Sequence, residues 1–220
     1  MTDQDAPSPR TDAAERILTA AQRLFADHGY DGVSMRDIAE AADVSKANVF
    51  HHFKSKAELY RLILDEYTNE FRQLLTLLRT NDGSIEQILT DFTDAYIQQL
   101  SARPEVARLI LRQLLTGKTS DPNRDHFEAL VAERFDEACE AFADFQRAGR
   151  LAPDVDPRAL TQTLLSGHLM LFVLRNVAER SRHGKALAGT QQYSRNVLDI
   201  ILHGVLSPRR NPESTQARGN

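Results

Sequence analysis

The chain has 220 residues, a formal net charge of −4, a pI near 6.0, and 41% hydrophobic and 26% charged residues, values ordinary for a soluble globular protein. Its longest largely apolar stretch, 164–174, contains His168 and falls well short of the roughly 18–20 residues that cross a bilayer. The acidic, Pro-containing start has no apolar segment behind it to make a signal peptide, and the single Cys139 excludes an internal disulfide or a thiolate cluster, so the expected location is the cytoplasm.

Residues 1–10 and 207–220 read as mobile tails rich in Pro, Asp, Ser, Arg and Gly. Between them the apolar residues recur at helical spacing, which predicts an all-α fold of nine helices, three short and six longer. Ile17, Ala20, Ala21, Leu24 and Phe25 form the first stripe, and Gly29 follows as a C-terminal cap. Ser34 with Asp37, and Ser55 with Glu58, fit the capping box; Ser45 caps a helix between them. From Lys56 the helices lengthen. Tyr60, Ile63, Leu64, Tyr67, Phe71, Leu75 and Leu78 keep one face apolar until Asn81-Asp82-Gly83 breaks it, and Ser84 with Gln87 starts the next. Pro104 opens a helix that ends near Gly117. Asp121-Pro122 and Asp156-Pro157 each read as an Asp cap followed by Pro at the first helical position. Gly149 ends the first of these helices, and the last two span roughly 157–182 and 190–206.

The block 29–60, GYDGVSMRDIAEAADVSKANVFHHFKSKAELY, carries the functional signal. Ile38, Ala39 and Ala42 lie on one short helix, Asp43-Val44 makes a turn, and Ser45 starts a second helix with Val49 and Phe53 on its buried side. That is a helix-turn-helix with small residues where the helices cross. Across 44–57 there are three lysines, Lys46, Lys54 and Lys56, and no carboxylate, although 10–60 as a whole holds seven Lys or Arg against eight Asp or Glu. Positive charge is thus gathered on the outward-reading helix, where DNA phosphates would need it.

This block resembles the DNA-binding domain of the TetR family of transcriptional regulators. Gly29-Tyr30, Ser34, Ile38-Ala39, Ala42, Val44-Ser45, Val49-Phe50, His52-Phe53, Ser55-Lys56 and Leu59 stand in register with the family pattern, over about residues 12–60. Asp43 and Ala47 stand where Gly is usual, and Phe50 where Tyr is more common. The resemblance implies a DNA-binding domain at 11–57, with the helix-turn-helix about 34–53, and a helical regulatory and dimerisation domain at 58–206. It implies a ligand-responsive repressor, without metal, cofactor or membrane, whose partners are a near-palindromic duplex operator, a second copy of itself and a small-molecule effector. Ser34, Arg36, Ser45, Lys46, Ala47, Asn48, Phe50, His51, Lys54 and Lys56 are its expected DNA-binding residues, with Lys54 and Lys56 near phosphates. Tyr96, Arg112, Gln113, Phe135 and His168 are expected to contact the effector. Leu164, His168, Leu171, Phe172, Tyr193, Val197 and Ile201 are expected at the dimer interface, on two final helices that are apolar nearly all round. Effector binding is expected to move the helix from Lys56 and spread the two reading helices.

Two rival readings are a helical protein-interaction module without DNA binding, motivated by Asp43, Ala47 and the overall acidity, and a small-molecule enzyme. No nucleophile, base and orienter stand at a recognisable spacing for the latter.

Overall fold

A computed structural model describes residues 12–80, 82–115, 121–178, 180, 182 and 190–204; the side chains of 171–173, 175–178 and 190 lie outside that description. Both terminal tails lie outside it too. Among the described residues all regular structure is helical: α1 (Asp12–His28), α2 (Met35–Ala41), α3 (Lys46–His52), α4 (Lys56–Thr80), α5 (Ile85–Ala102), α6 (Pro104–Leu115), α7 (Arg124–Arg147), α8 (Pro157–Ala178) and α9 (Thr190–His203). Two of these nine are short, not three, since α1 already runs 17 residues.

Capping chemistry sets most of the boundaries. At Ser34 the box closes in both directions: its Oγ accepts the Asp37 amide, and the Asp37 carboxylate accepts the Ser34 amide at 2.8 Å. These bonds to the anionic form hold the Asp37 carboxyl below its ordinary value. At Ser55 only half the box forms. Ser55 Oγ accepts the Glu58 amide, but the Glu58 carboxylate reaches back to the Lys54 amide instead, at 2.7 Å. Asp156 caps α8 as expected, accepting the Arg158 amide, and the Arg158 guanidinium beside it lowers its carboxyl to about 2. The matching expectation at Asp121-Pro122 is corrected: α7 begins at Arg124, because Asp121 is buried and bonded to Gln113 while also accepting the Asn123 amide. Glycine closes three helices among the described residues, Gly29 at φ +74°, Gly149 at φ +71° and Gly204 at φ +75°, the left-handed backbone that a Cβ disfavours. A Cβ at Gly29 would also stand 3.0 Å from an Arg112 nitrogen.

The apolar residues sort into two clusters. The first gathers Ile17, Ala21 and Phe25 of α1, Ile38 and Ala39 of α2, Val49 of α3 and Leu59, Tyr60, Ile63 and Leu64 of α4, but also Val106, Leu109 and Ile110 of α6 and Phe127 of α7. Its centre is aromatic: Phe25 meets Tyr60 edge-on at 4.7 Å between centroids, and Tyr30 lies 5.1 Å from Tyr60. The second holds the far half of α4 with α5, α7, α8 and α9, around Leu78, Ile88, Leu89, Phe92, Phe142 and Leu164. Helix α4 passes through both.

Polar ties join α6 to the N-terminal helices. Arg112 Nη2 donates to the Asp27 carbonyl at 3.0 Å and Arg108 to the Asp27 carboxylate at 3.2 Å. Beneath them the Tyr60 hydroxyl donates to Gln113 Oε1, Gln113 Nε2 donates to Asp121, and Asn123 Nδ2 donates to the Ala57 carbonyl at the start of α4.

Candidate functional site

Two surfaces carry chemistry, the outer face of α3 and a cavity in the body. Helix α3 is too short to stand alone and is held by Val49, which is wholly buried against Ile38, Ala39 and Ala42 of the preceding helix and turn. The turn is made at Asp43, the one non-glycine residue with positive φ (+53°) among those described, so a carboxylate-bearing residue adopts here the left-handed backbone that Gly favours. Ser45 then caps α3 by accepting the Asn48 amide at 3.1 Å.

With Val49 pointing in, Lys46, Ala47, Phe50 and His51 point out and are exposed, as are Ser34, Arg36, Ser45 and Lys54; Asn48 is half-buried. Lys46 Nζ lies 5.8 Å from the Phe50 ring centre, which pairs cation and aromatic face on one ridge. Lys56 behaves otherwise. Its ammonium donates to the carbonyls of Tyr30 and Val33 at 2.9 and 3.0 Å and sits 4.1 Å over the Tyr30 ring, so it fastens the α1–α2 turn to α4 instead of reaching for phosphate. That corrects its expected role: the loop carbonyls left over after Gly29 need a donor, and Lys56 is the one in reach.

The cavity lies among α4, α5, α6, α7 and α8 and measures about 270 Å³. Tyr96 and Phe135 line it as the sequence suggests. Arg112, Gln113 and His168 do not: Arg112 ties α6 to α1, Gln113 joins Tyr60 of α4 and Asp121, and His168 is buried between α8 and α9. The wall adds Tyr67, Thr68, Ile110, Leu165, Leu169 and Arg134, the last only 6% exposed. Burial pushes the Tyr67 phenol up to about 12 and raises the Tyr96 phenol well above its ordinary value, so both are neutral at physiological pH. Arg134 escaped the sequence reading, although a signal was there. It occupies the core-facing register of α7 between Phe127, Val131 and Ala138, where an arginine needs a reason.

The final helices also revise expectation. Leu164 and His168 face inward and are about 1% exposed, so they are core residues of the protomer and not an interface. His168 Nδ1–H donates to the Leu164 carbonyl and Nε2 accepts from Ser194 on α9 at 3.1 Å. Tyr193, Val197 and Ile201 are half-buried, and the side chains of Leu171 and Phe172 lie outside the described set. The outward apolar positions are instead Met170 (45% exposed), Leu174 (51%) and Ile200 (52%).

Burial lowers the His168 pKa, because the charged imidazolium is poorly solvated there. With the folded value below the ordinary 6.5, the unfolded chain binds the proton more readily, so stability rises with pH through this window. The His168 contribution is complete above about pH 6.5 and declines as pH falls below it. We expect the melting temperature of the native chain to drop more between pH 7 and pH 5 than that of His168→Asn. Parallel curves for the two proteins would refute this assignment.

Comparison with known proteins follows the same geometry. The sequence profile of bacterial regulatory proteins of the tetR family matches residues 17–63, the span of α1 to the first turns of α4. The regulator RutR of Escherichia coli is 29% identical over 202 residues, covering 86% of this chain and 88% of its own. The negative transcriptional regulator IcaR of Staphylococcus epidermidis is 30% identical over 101 residues, covering 41% of this chain and 55% of its own. Among solved structures, the transcriptional regulator FadR of Bacillus subtilis, crystallised with stearoyl-CoA, shares the fold at a TM-score of 0.64 and 15% identity, covering 87% of this chain and 99% of its own. With that profile lying on the helix-turn-helix, residues 17–63 form a DNA-binding segment of the tetR family of bacterial regulatory proteins, and along most of its length the chain is similar to the transcriptional regulator RutR.

Proposed function

We propose that the protein is a cytoplasmic, ligand-responsive repressor that binds a near-palindromic operator as a homodimer and is released by a small molecule. The observation that carries this reading is the α3 ridge, where Lys46, Ala47, Phe50 and His51 stand exposed on a lysine-bearing surface without a carboxylate. A helix of this kind enters the major groove, with Lys46 and Asn48 toward base edges and Ser34, Arg36 and Lys54 toward the backbone. Residues 11–57 then serve as the DNA-binding part and 58–206 as the regulatory and dimerising part.

Dimerisation is supported by Met170, Leu174 and Ile200, large apolar side chains left in water on α8 and α9, with Tyr193, Val197 and Ile201 at their flank. Effector binding is supported by the α4–α8 cavity, and by the stearoyl-CoA held by FadR. The effector acts only through unequal affinity for the DNA-competent and spread forms. Ile110 and Leu114 place α6 on the cavity wall, while Arg108 and Arg112 tie the same helix to α1, so a displacement of α6 reaches the DNA-binding helices.

The test is binding to duplex DNA from upstream of the chain's own gene and to a genomic library, at 50 and 200 mM salt. Nanomolar binding, two protomers per site and a loss of about 10³-fold or more at the higher salt are expected. Absence of any duplex bound above the non-specific level would favour the rival interaction-module reading, which Asp43 and Ala47 motivate.

A further inference from the structure

The polar atoms around the cavity are almost all committed. Thr68 Oγ1 donates to the carbonyls of Leu64 and Asp65, Ser166 donates to the Gln162 carbonyl, and the Tyr67 and Tyr96 hydroxyls interact with each other. Arg134 is different. Its Nη1 meets Glu137 and its Nη2 meets Glu133, each at 2.7 Å, while its buried Nε has no hydrogen-bond partner. A buried N–H left in that condition holds a cost that an acceptor would remove.

Charge narrows the class of acceptor. The Arg134 cation is already flanked by two carboxylates, and Arg72 lies 3.8 Å from Glu137, so the group is balanced as it stands. A carboxylate ligand would be brought up against the largely buried Glu137, beside a guanidinium whose charge Glu133 and Glu137 already offset. A cationic ligand would be brought up against the Arg134 guanidinium, and the two phenols on the wall, Tyr67 and Tyr96, are neutral. The rest of the wall is hydrocarbon and aromatic ring, and about 270 Å³ lies just under the roughly 300–1,000 Å³ of drug-sized sites. Resting on the ligand-responsive reading above, we propose that the cavity takes a compact, largely apolar molecule bearing one uncharged carbonyl, a ketone, ester or lactone, whose oxygen accepts from Arg134 Nε–H.

Three probes of matched shape separate the possibilities: acetophenone, ethylbenzene and benzoate, titrated calorimetrically into the full-length protein without DNA. Acetophenone is expected to bind about tenfold more tightly than ethylbenzene, and benzoate least tightly of the three. Arg134→Lys keeps a cation between Glu133 and Glu137 but removes the planar Nε donor, and should bring acetophenone and ethylbenzene to near parity. Leu169→Phe, which fills the cavity from α8, should abolish binding of all three. Equal binding of acetophenone and ethylbenzene to the native protein, tighter binding of benzoate, or no binding of any probe overturns the proposal. So does an acetophenone preference that persists in Arg134→Lys. Operator affinity is read separately: acetophenone held in the cavity without loosening DNA would overturn the ligand-responsive reading and leave this assignment standing.

Discussion

Ala47→Glu is expected to weaken operator binding by about 100-fold or more while leaving the fold intact, because it sets a carboxylate against phosphate where like charges cost several kcal/mol. Ala47 is exposed in the first turn of α3, beside Lys46 and across from Phe50, and makes no buried contact that a longer side chain would disturb. A carboxylate is favourable near a helix N-terminus, so the substitution should not unwind α3. Fluorescence anisotropy on operator DNA, with circular dichroism as the control for folding, reads both halves. Operator affinity within threefold of native in a folded variant would mean that α3 does not face the groove. Lys54→Ala, at the backbone-facing lysine, is the milder companion and should reduce the salt dependence of binding by about one counterion.

The second large effect concerns stability. Phe25→Ala is expected to cost about 3–5 kcal/mol, lowering the melting temperature by roughly 10 °C at fixed protein concentration. Phe25 is wholly buried and touches both Tyr30 and Tyr60, so its removal opens a void among α1, the α1–α2 turn and α4 that rigid helices cannot close. Phe50→Ala, on the exposed ridge of α3, makes the contrast: its change in stability should fall within about 0.5 kcal/mol. Comparable losses in the two variants would show that α3 is packed inward and would undo the placement of the DNA-binding face.

Much of this arrangement can be read in the sequence because it is local. The periodic apolar stripes of α1, α4 and α5, the capping serines and the glycines at 29 and 149 each act over a few residues, and each places an element where the structure has it. What the sequence hides is the choice between partners that depends on the tertiary assembly. Whether Asp121 caps a helix or joins Gln113 is decided by where α6 arrives, 48 residues of chain beyond α4's start. Lys56 looks like its neighbours Lys46 and Lys54, yet the carbonyls of Tyr30 and Val33 claim it. On α8 both sides are apolar, so composition cannot distinguish the inward Leu164 from the outward Met170. The cavity shows the same limit: Tyr96 and Phe135 fall on its wall, while Arg134 is discoverable only as a charge in an apolar register.

The first apolar cluster has a practical consequence for protein engineering. Val106, Leu109, Ile110 and Phe127 complete the packing of α1 to α4, so a chain cut after residue 57 or 64 would present that apolar surface to water. Grafting this DNA-reading segment onto a foreign sensor would therefore require transplanting the matching face of α6, with Arg108 and Arg112, as part of the insert. The natural unit of exchange in this protein is a patch of surface shared by distant segments of the chain, and recombination at any single peptide bond would divide it.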